Sequence, residues 1–162
     1  MSTNGVYPGL YEVNAQLEQK SKVGRSLQND FLYSMPRTDW LSRNALYTPD
    51  APALVWAPTG ETYTYAELHR AGKQLAAGLA ERFDLSKGDR IAVLAENTME
   101  HVLLFCAAQT AGYVLVPLNF RLAPPELQYL VDDSDPHVIF ASEGYRDTAR
   151  DLDGGGPVVP LG

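Results

Sequence analysis

The sequence predicts an α/β fold in which a layered, mostly parallel sheet is flanked by helices. The first observation is a set of short apolar runs at residues 91–95, 113–116 and 138–141 that do not alternate with polar residues. Strands with this pattern are usually covered on both faces, as in parallel sheets. The second observation is that the segments between these runs carry apolar residues at helical spacing. From Arg90 onward strands and helices therefore alternate, which is typical of layered α/β proteins.

The elements before this alternation begin with a short helix. Thr38 or Asp39 can cap it, and the pair Thr48 and Pro49 ends it, because a residue before proline is disfavoured in the helical region. The next elements are a strand at residues 53–57, a turn at 58–60 and a returning strand at 62–63. We therefore expect a helix and a hairpin ahead of the main sheet.

The following helix carries the clearest local signal. Thr64 and Glu67 fit a capping box, in which the hydroxyl accepts from the Glu67 amide and the carboxylate accepts from the Thr64 amide. Tyr63 and Leu68 stand where a hydrophobic staple would pack. Apolar and small residues then recur at spacings of three and four as far as Phe83. The pattern predicts an amphipathic helix from Thr64 to Phe83.

A strand–helix–strand unit follows. The strand at residues 91–95 leads into a second candidate capping box formed by Asn97 and Glu100, which predicts that Asn97 caps the helix. Gly112 ends this helix. We expect the next strand to stop at Pro117, because proline has no amide hydrogen for the strand ladder.

The last part of the chain contains one more helix and one more buried strand. Pro124 can start the helix, since proline is tolerated at the first helical position, and Pro136 prevents its continuation. Residues 143–152 are predicted to form one or two helical turns, and residues 154–157 break the chain before a short segment at 158–159. With three buried strands, the sheet is expected to expose an apolar edge that favours self-association.

Composition disfavours several classes of function. A net charge of −7 argues against nucleic acid and anionic membranes as partners. The single cysteine rules out an internal disulfide and favours a reducing compartment. The longest apolar stretch, residues 102–118, is shorter than the roughly 20 residues that a membrane helix needs. We expect a cytoplasmic protein without a membrane span, in which residues 1–35 form an extension and residues 36–162 form the domain.

Several segments resemble the adenylate-forming enzymes of the ANL superfamily. Residues 62–68 (TYTYAEL) resemble the first core motif, and residues 110–119 (TAGYVLVPLN) resemble the second. Residues 119–122 (NFRL), followed by Glu126, resemble the branch of the acyl-CoA synthetases and fatty-acid–CoA ligases. Because these motifs occur in register, the resemblance is specific over roughly residues 38–150.

The resemblance implies an AMP-binding ligase that works in two steps. A carboxylic acid attacks ATP, with Mg²⁺ assisting, to give an acyl-adenylate, and the thiol of CoA then displaces AMP. The family's phosphate loop ends in Pro-Lys-Gly, whereas residues 154–156 run into Pro157 and the last lysine is Lys87. We therefore expect an N-terminal fragment that has no catalytic residue, needs the C-terminal portion of the enzyme, and is inactive and without a bound cofactor when alone.

The candidate substrate-binding residues are Asn97, Asn119 and Arg121, which follow apolar strands where ligands of α/β sheets tend to bind. The alternatives are a helix cap for Asn97 and ordinary loop hydrogen bonds and a surface ion pair for Asn119 and Arg121. Cys106 is expected to be a buried, unreactive thiol. The three histidines show no metal-ligand spacing, so we expect no metal site. A non-catalytic α/β interaction module, or one subunit of a split enzyme, is the second interpretation.

Overall fold

The computed structural model describes residues 39–161, and the extension expected at residues 1–35 lies outside them. The helices are α1 (Trp40–Tyr47), α2 (Tyr65–Phe83), α3 (Met99–Ala111), α4 (Pro124–Ser134) and α5 (Arg146–Arg150), with a 3-10 turn at Glu143–Tyr145. The strands are β1 (Pro52–Trp56), β2 (Glu61–Thr64), β3 (Arg90–Leu94), β4 (Val114–Leu118), β5 (Val138–Ser142) and β6 (Val158–Leu161). The predicted alternation of strand and helix from Arg90 is confirmed.

A four-stranded parallel sheet forms the centre, in the order β4–β3–β5–β6. Ile91 of β3 pairs with Leu115 on one side and with Val138 on the other. Because helices cover both faces of this central strand, Ile91 and Leu94 are both fully buried. The predicted fold class, a layered parallel sheet flanked by helices, is confirmed.

The two faces of the sheet carry separate hydrophobic clusters. On one face, Leu75 of α2 and Leu104 of α3 pack with Val93. On the other, Leu127 of α4 packs with Leu94. Successive residues of a strand point to opposite faces, so β3 contributes to both clusters.

Helices α2 and α3 approach each other closely at Gly72. A Cβ atom at this position would lie 2.8 Å from the Cβ of Cys106 and 3.1 Å from its carbonyl oxygen. Nearby, the buried hydroxyl of Tyr113 donates to the carbonyl of Ala76 at 3.1 Å and ties the start of β4 to α2. These contacts fix the position of α3 over the sheet.

Strands β1 and β2 form a separate antiparallel hairpin. The predicted capping box begins α2 directly after β2: the Glu67 amide donates to the Thr64 hydroxyl at 3.3 Å, and the Thr64 amide donates to the Glu67 carboxylate at 2.8 Å. Tyr63 and Leu68 belong to one apolar cluster, as a hydrophobic staple requires. The box therefore connects the hairpin rigidly to α2.

The prediction that Pro117 ends its strand is wrong. Strand β4 continues to Leu118, and Pro117 pairs with Val93. Within the described residues β4 lies at the edge of the sheet, where a residue without an amide hydrogen is tolerated. The edge position also leaves Val114 47% exposed, so β4 is covered less completely than β3.

The prediction that Asn97 caps α3 is also wrong. Thr98 is the N-cap, and its hydroxyl accepts from the His101 amide at 3.3 Å. Glu100 consequently lies one position too early to complete a capping box. The side chain of Asn97 is thereby left free of the capping role and is exposed.

The sheet contains a fourth strand that the three-strand expectation omitted. Residues 158–159 begin β6, and Val158 pairs with Ile139 of β5. The chain reaches this register through Gly156, which has a φ of +68° and lies against the carbonyl of His137, where a Cβ would not fit. The open edges of the described sheet are therefore β4 and β6.

Candidate functional site

Three polar loops meet at one edge of the parallel sheet. Glu96 and Asn97 follow β3, Phe120 and Arg121 follow β4, and Tyr145 follows β5. Because the strands are parallel, their carboxyl ends lie at the same edge, which is where α/β sheets usually bind ligands. This edge is the candidate functional site.

The side chains at this edge form a stack beside an open cleft. The Tyr145 hydroxyl donates to Oε1 of Glu96 at 3.2 Å. The rings of Tyr145 and Phe120 have centroids 5.4 Å apart, and the guanidinium carbon of Arg121 lies 5.1 Å from the centroid of Phe120. The cleft holds about 550 Å³ and is lined by Glu96, Asn97, Phe120 and Arg121. A carboxylate, two rings and a cation are thus arranged in sequence at this edge, and all of them except the ring of Tyr145 line the cleft.

The environment of Tyr145 keeps its hydroxyl protonated. Desolvation by the neighbouring side chains raises the pKa of Tyr145, and the charge of Glu96 and its hydrogen bond raise that pKa further. The nearby Arg121 acts in the opposite direction and is the smallest of the four causes. At neutral pH the hydroxyl therefore serves as a donor that holds the Glu96 carboxylate in place.

The structure brings two of the three predicted binding residues to the cleft. Asn97 and Arg121 line it, and both are exposed. Asn119 shapes the loop instead, since its side-chain oxygen accepts from the Arg121 amide at 3.1 Å and its carbonyl accepts from the Leu122 amide at 3.0 Å. The loop hydrogen bonding considered for Asn119 is confirmed, and Arg121 contacts the face of Phe120. A role for these residues in substrate binding stays a prediction.

Sequence reasoning missed Glu96, Phe120 and Tyr145 as members of this site. The available signal was the rule that placed Asn97 and Asn119 there, namely that residues after parallel strands meet at one edge. Applied to β5, the same rule would have reached Tyr145, three residues after Ser142. The contact between Tyr145 and Glu96 joins residues 49 positions apart, and no local pattern reports it.

A second concavity lies on the face of the sheet covered by α3. It holds about 520 Å³ between the hairpin, α3 and β4, and we call it the apolar groove. Its lining residues are Leu54, Val55, Trp56, Ala57, Pro58, Asn97, Thr98, His101, Val102, Phe105, Leu115 and Pro117. Asn97 lines both concavities, so the apolar groove and the cleft are neighbours.

Other residues with reactive or metal-binding side chains lie away from the cleft. Cys106 is 2% exposed, as predicted, and desolvation together with the charge of Asp39 raises the pKa of its thiol to about 11. Such a thiol is neither a nucleophile nor a metal ligand at neutral pH. Between residues 39 and 161, no three His, Cys, Asp or Glu side chains are grouped so as to hold a metal ion. None of the helices in this range is long and apolar enough to cross a membrane.

The described residues do not fit the triphosphate of ATP. Phosphate cradles use free backbone amides at a helix N-terminus or in a glycine-rich loop, with a cation nearby. At the start of α3 the hydroxyl of Thr98 already accepts from one of these amides. Glu96 and Arg121 also line the same cleft, so its single guanidinium is offset by a carboxylate. No catalytic step through ATP or Mg²⁺ is therefore derived from residues 39–161.

A layered α/β domain with a polar cleft at the carboxyl edge of a parallel sheet has the architecture in which α/β proteins usually bind ligands. Comparison with known proteins identifies the family. The model of the AMP-binding enzyme family matches residues 41–158. The chain belongs to the AMP-binding enzyme family and corresponds to the N-terminal portion of an adenylate-forming, acyl-CoA synthetase-like enzyme. The resemblance identified from the sequence motifs is confirmed.

The similar proteins are ligases much longer than this chain. It is 30% identical to the fatty acid–[acyl-carrier-protein] ligase ScoC of Streptomyces coeruleorubidus, over 75% of this chain and 23% of ScoC. It is 37% identical to a feruloyl-CoA synthase of an Amycolatopsis species, over 72% of this chain and 23% of that enzyme. Among solved structures, the N-terminal domain of FACL13 from Mycobacterium tuberculosis matches with a TM-score of 0.67 and 28% identity, over 75% of this chain and 33% of that domain. The chain thus spans about a quarter of the length of ScoC and of the feruloyl-CoA synthase.

Proposed function

We propose that this chain supplies the N-terminal scaffold and one wall of the substrate-side cleft of an AMP-forming acid–thiol ligase. We also propose that it does not catalyse ligation by itself. The observation that supports both statements is the stack of Arg121, Phe120, Tyr145 and Glu96 at the carboxyl edge of the sheet, in a chain of this family. The stack can orient a substrate and shape the cleft, whereas stabilising the phosphates requires several hydrogen-bond donors, cations or a metal ion.

The reaction proposed for the complete enzyme is the activation of a carboxylic acid with ATP, Mg²⁺ and CoA. The acid would be converted to an acyl-adenylate and then to a thioester with CoA. The names of the two relatives refer to a fatty acid and to feruloyl-CoA. We therefore propose a fatty or aryl acid as the substrate, and the C-terminal portion of a ligase as the partner that supplies the ATP site. The single cysteine supports the cytoplasm as the location.

Within the cleft, Arg121 and Asn97 are the residues that we propose to contact the substrate. The guanidinium of Arg121 is held over the ring of Phe120, which limits its rotamers while leaving donors available for a carboxylate or phosphate oxygen. Asn97 offers both a donor and an acceptor at the border with the apolar groove. Asn119 acts through the loop, because its side chain fixes the backbone of Arg121.

The first experiment measures release of pyrophosphate by the purified chain with ATP, Mg²⁺, CoA and either a fatty or a cinnamic-type acid. We expect no release above the protein-free background. Protein-dependent release that scales with chain concentration would contradict the proposal of an inactive scaffold.

The second experiment tests the scaffold directly in a hybrid enzyme. Residues 41–158 replace the matching segment of the Amycolatopsis feruloyl-CoA synthase, and the synthesis of feruloyl-CoA is followed. We expect a folded hybrid with measurable ligation, and a reduced kcat/KM after the substitution Arg121→Gln. The matched control is Arg82→Gln, because Arg82 makes the same kind of contact with Phe83, at 5.4 Å, outside the cleft. Equal activity of the two variants would remove Arg121 from the proposed site.

A non-catalytic interaction module is the second candidate function. The observation that favours it is the open apolar groove, whose residue Val55 is 57% exposed. Exposed apolar surfaces of this kind often mark binding sites for other chains. A hybrid that is folded, by circular dichroism, but inactive would favour this candidate over the ligase scaffold.

A further inference from the structure

The apolar groove lies at the point where the described part of the chain begins. Asp39 is 7% exposed, and its carboxylate accepts from the Ser42 amide at 3.0 Å, which fixes the start of α1. The next residue, Trp40, is 43% exposed and its ring lies 6.4 Å from the ring of Phe105, which lines the groove. The segment that precedes Asp39 therefore joins the domain at the rim of the groove.

The walls of the groove lack apolar cover from residues 39–161. Val55 of the hairpin is 57% exposed and Phe105 of α3 is 38% exposed. The hairpin already packs on the cluster of Leu68 through Leu54 and Tyr63, but Val55 and Phe105 lie outside that cluster. An apolar segment placed in the groove would bury both residues and hold the hairpin against α3.

The chain carries such a segment a few residues before Asp39. Residues 31–35 read FLYSM and form the densest apolar run among the first 38 residues. Pro36 follows and disfavours a helical conformation at Met35, so the run is biased toward an extended form. An extended chain covers about 3.3–3.6 Å per residue, so residues 31–35 reach between about 13 and 29 Å from Asp39.

We propose that the apolar groove binds residues 31–35 of the same chain. A tethered segment of this length has an effective concentration of roughly millimolar, whereas a second copy of the protein is present at micromolar concentration in dilute solution. The tether therefore favours the chain's own segment over self-association through the groove. This docking is independent of the ligase function proposed above, since it concerns the free chain.

Disulfide trapping tests the proposal. Tyr33→Cys is combined with Val55→Cys in the groove or, as a control, with Tyr129→Cys on α4, at the opposite face of the sheet. The native Cys106 does not interfere, because it is buried and the pKa of its thiol is about 11. At micromolar protein in a glutathione redox buffer, we expect the Tyr33–Val55 pair to form an intramolecular disulfide at least about tenfold faster than the control pair.

Two outcomes of this experiment would overturn the proposal. Equal rates for the two pairs would mean that residues 31–35 do not favour the groove. Disulfide-linked dimers as the main product of the Val55 pair would mean that a second copy occupies it. Far-UV circular dichroism checks that each double variant retains the fold.

A second measurement does not depend on engineered cysteines. Replacing Phe31, Leu32 and Tyr33 with serine should expose the groove and increase the fluorescence of the apolar dye 1-anilinonaphthalene-8-sulfonate severalfold. The matched control replaces Leu10, Val13 and Leu17 with serine, which removes as many apolar side chains from the N-terminal segment. If the fluorescence is unchanged in both variants, or rises equally in both, the proposed docking is wrong.

Discussion

The close contact between α2 and α3 makes Gly72→Ala the most informative single substitution in the fold. The added Cβ would lie 2.8 Å from the Cβ of Cys106, 3.0 Å from its carbonyl carbon and 3.1 Å from its carbonyl oxygen. Two of these atoms belong to the backbone of a helix that packs on the sheet. The clash is therefore relieved only if the helices move apart, and α3 carries His101, Val102 and Phe105, which line the apolar groove.

Two opposing effects set the size of the change at Gly72. Overpacking a well-packed interior costs about 1–3 kcal/mol. Alanine in place of glycine in a helix interior raises the free energy of unfolding by about 0.5–1 kcal/mol. We expect the steric effect to dominate, because the neighbouring atoms are backbone atoms, and the free energy of unfolding to fall by roughly 1–2 kcal/mol. With an m-value of about 1–3 kcal/mol per molar urea, the urea midpoint should fall by roughly 0.3–2 M.

Urea titration followed by far-UV circular dichroism measures this change. The control is Gly144→Ala, because a Cβ at Gly144 meets nothing within 4 Å, and we expect its midpoint to be unchanged or slightly higher. In a double-mutant cycle, Gly72→Ala should cost less in a Cys106→Gly background, which lacks the nearest atom, than in the unmodified chain, whereas it should cost as much in a Cys106→Ala background. An unchanged or raised midpoint for Gly72→Ala alone would refute the packing described for α2 and α3.

Three further predictions concern titration and the turn before β6. The pKa of the Cys106 thiol is raised to about 11, so a thiol reagent at pH 8 should react with it more than about 100-fold faster in denaturant than in the native chain. For the same reason the free energy of unfolding should fall as the pH rises from about 8.5 to 11. The backbone and side-chain hydrogen bonds from Thr64 lower the pKa of Glu67, so their contribution to stability is present above about pH 4.5 and is lost as the pH falls below it. In the variant Glu67→Gln, the urea midpoint should therefore depend less on pH between about pH 5 and 3. Gly156→Ala should destabilise the chain by at least about 1 kcal/mol more than Gly154→Ala, because both residues have positive φ but a Cβ meets backbone only at Gly156; equal urea midpoints would contradict this account.

The parts of the fold that the sequence predicted are those set by local pattern. The capping box of Thr64 and Glu67 requires only residues three apart, and the buried runs at β3 and β5 require only the absence of alternation. Both signals are complete within a short window. For the same reason the class of fold, the order of its elements and the family motifs could be recognised without coordinates.

The errors occurred where a neighbour in space overrides the local rule. Proline normally ends a strand, but Pro117 continues β4 because the strand lies at the edge of the described sheet. Asn97 is of a residue type that often caps helices, but α3 begins one residue too late for it. The hydroxyl of Thr98 therefore accepts from the His101 amide instead. Strand β6 was missed because prolines at 157 and 160 flank and interrupt its short apolar run. Sequence position alone does not report which strand is at an edge.

The charges of the cleft determine what its wall can contribute to a ligase. Glu96 and Arg121 line the same cleft, so their Coulomb interactions with a phosphate at equal distances are equal and opposite. Tyr145 adds no charge, because an ordinary phenol is already neutral at neutral pH and the surroundings of Tyr145 raise its pKa further. A wall of this kind can orient a single carboxylate or a polar uncharged group through directional hydrogen bonds, but it gives no net attraction for a polyanion. If the complete protein is a ligase as proposed, the groups that stabilise the phosphates of ATP come from residues other than those that line this cleft.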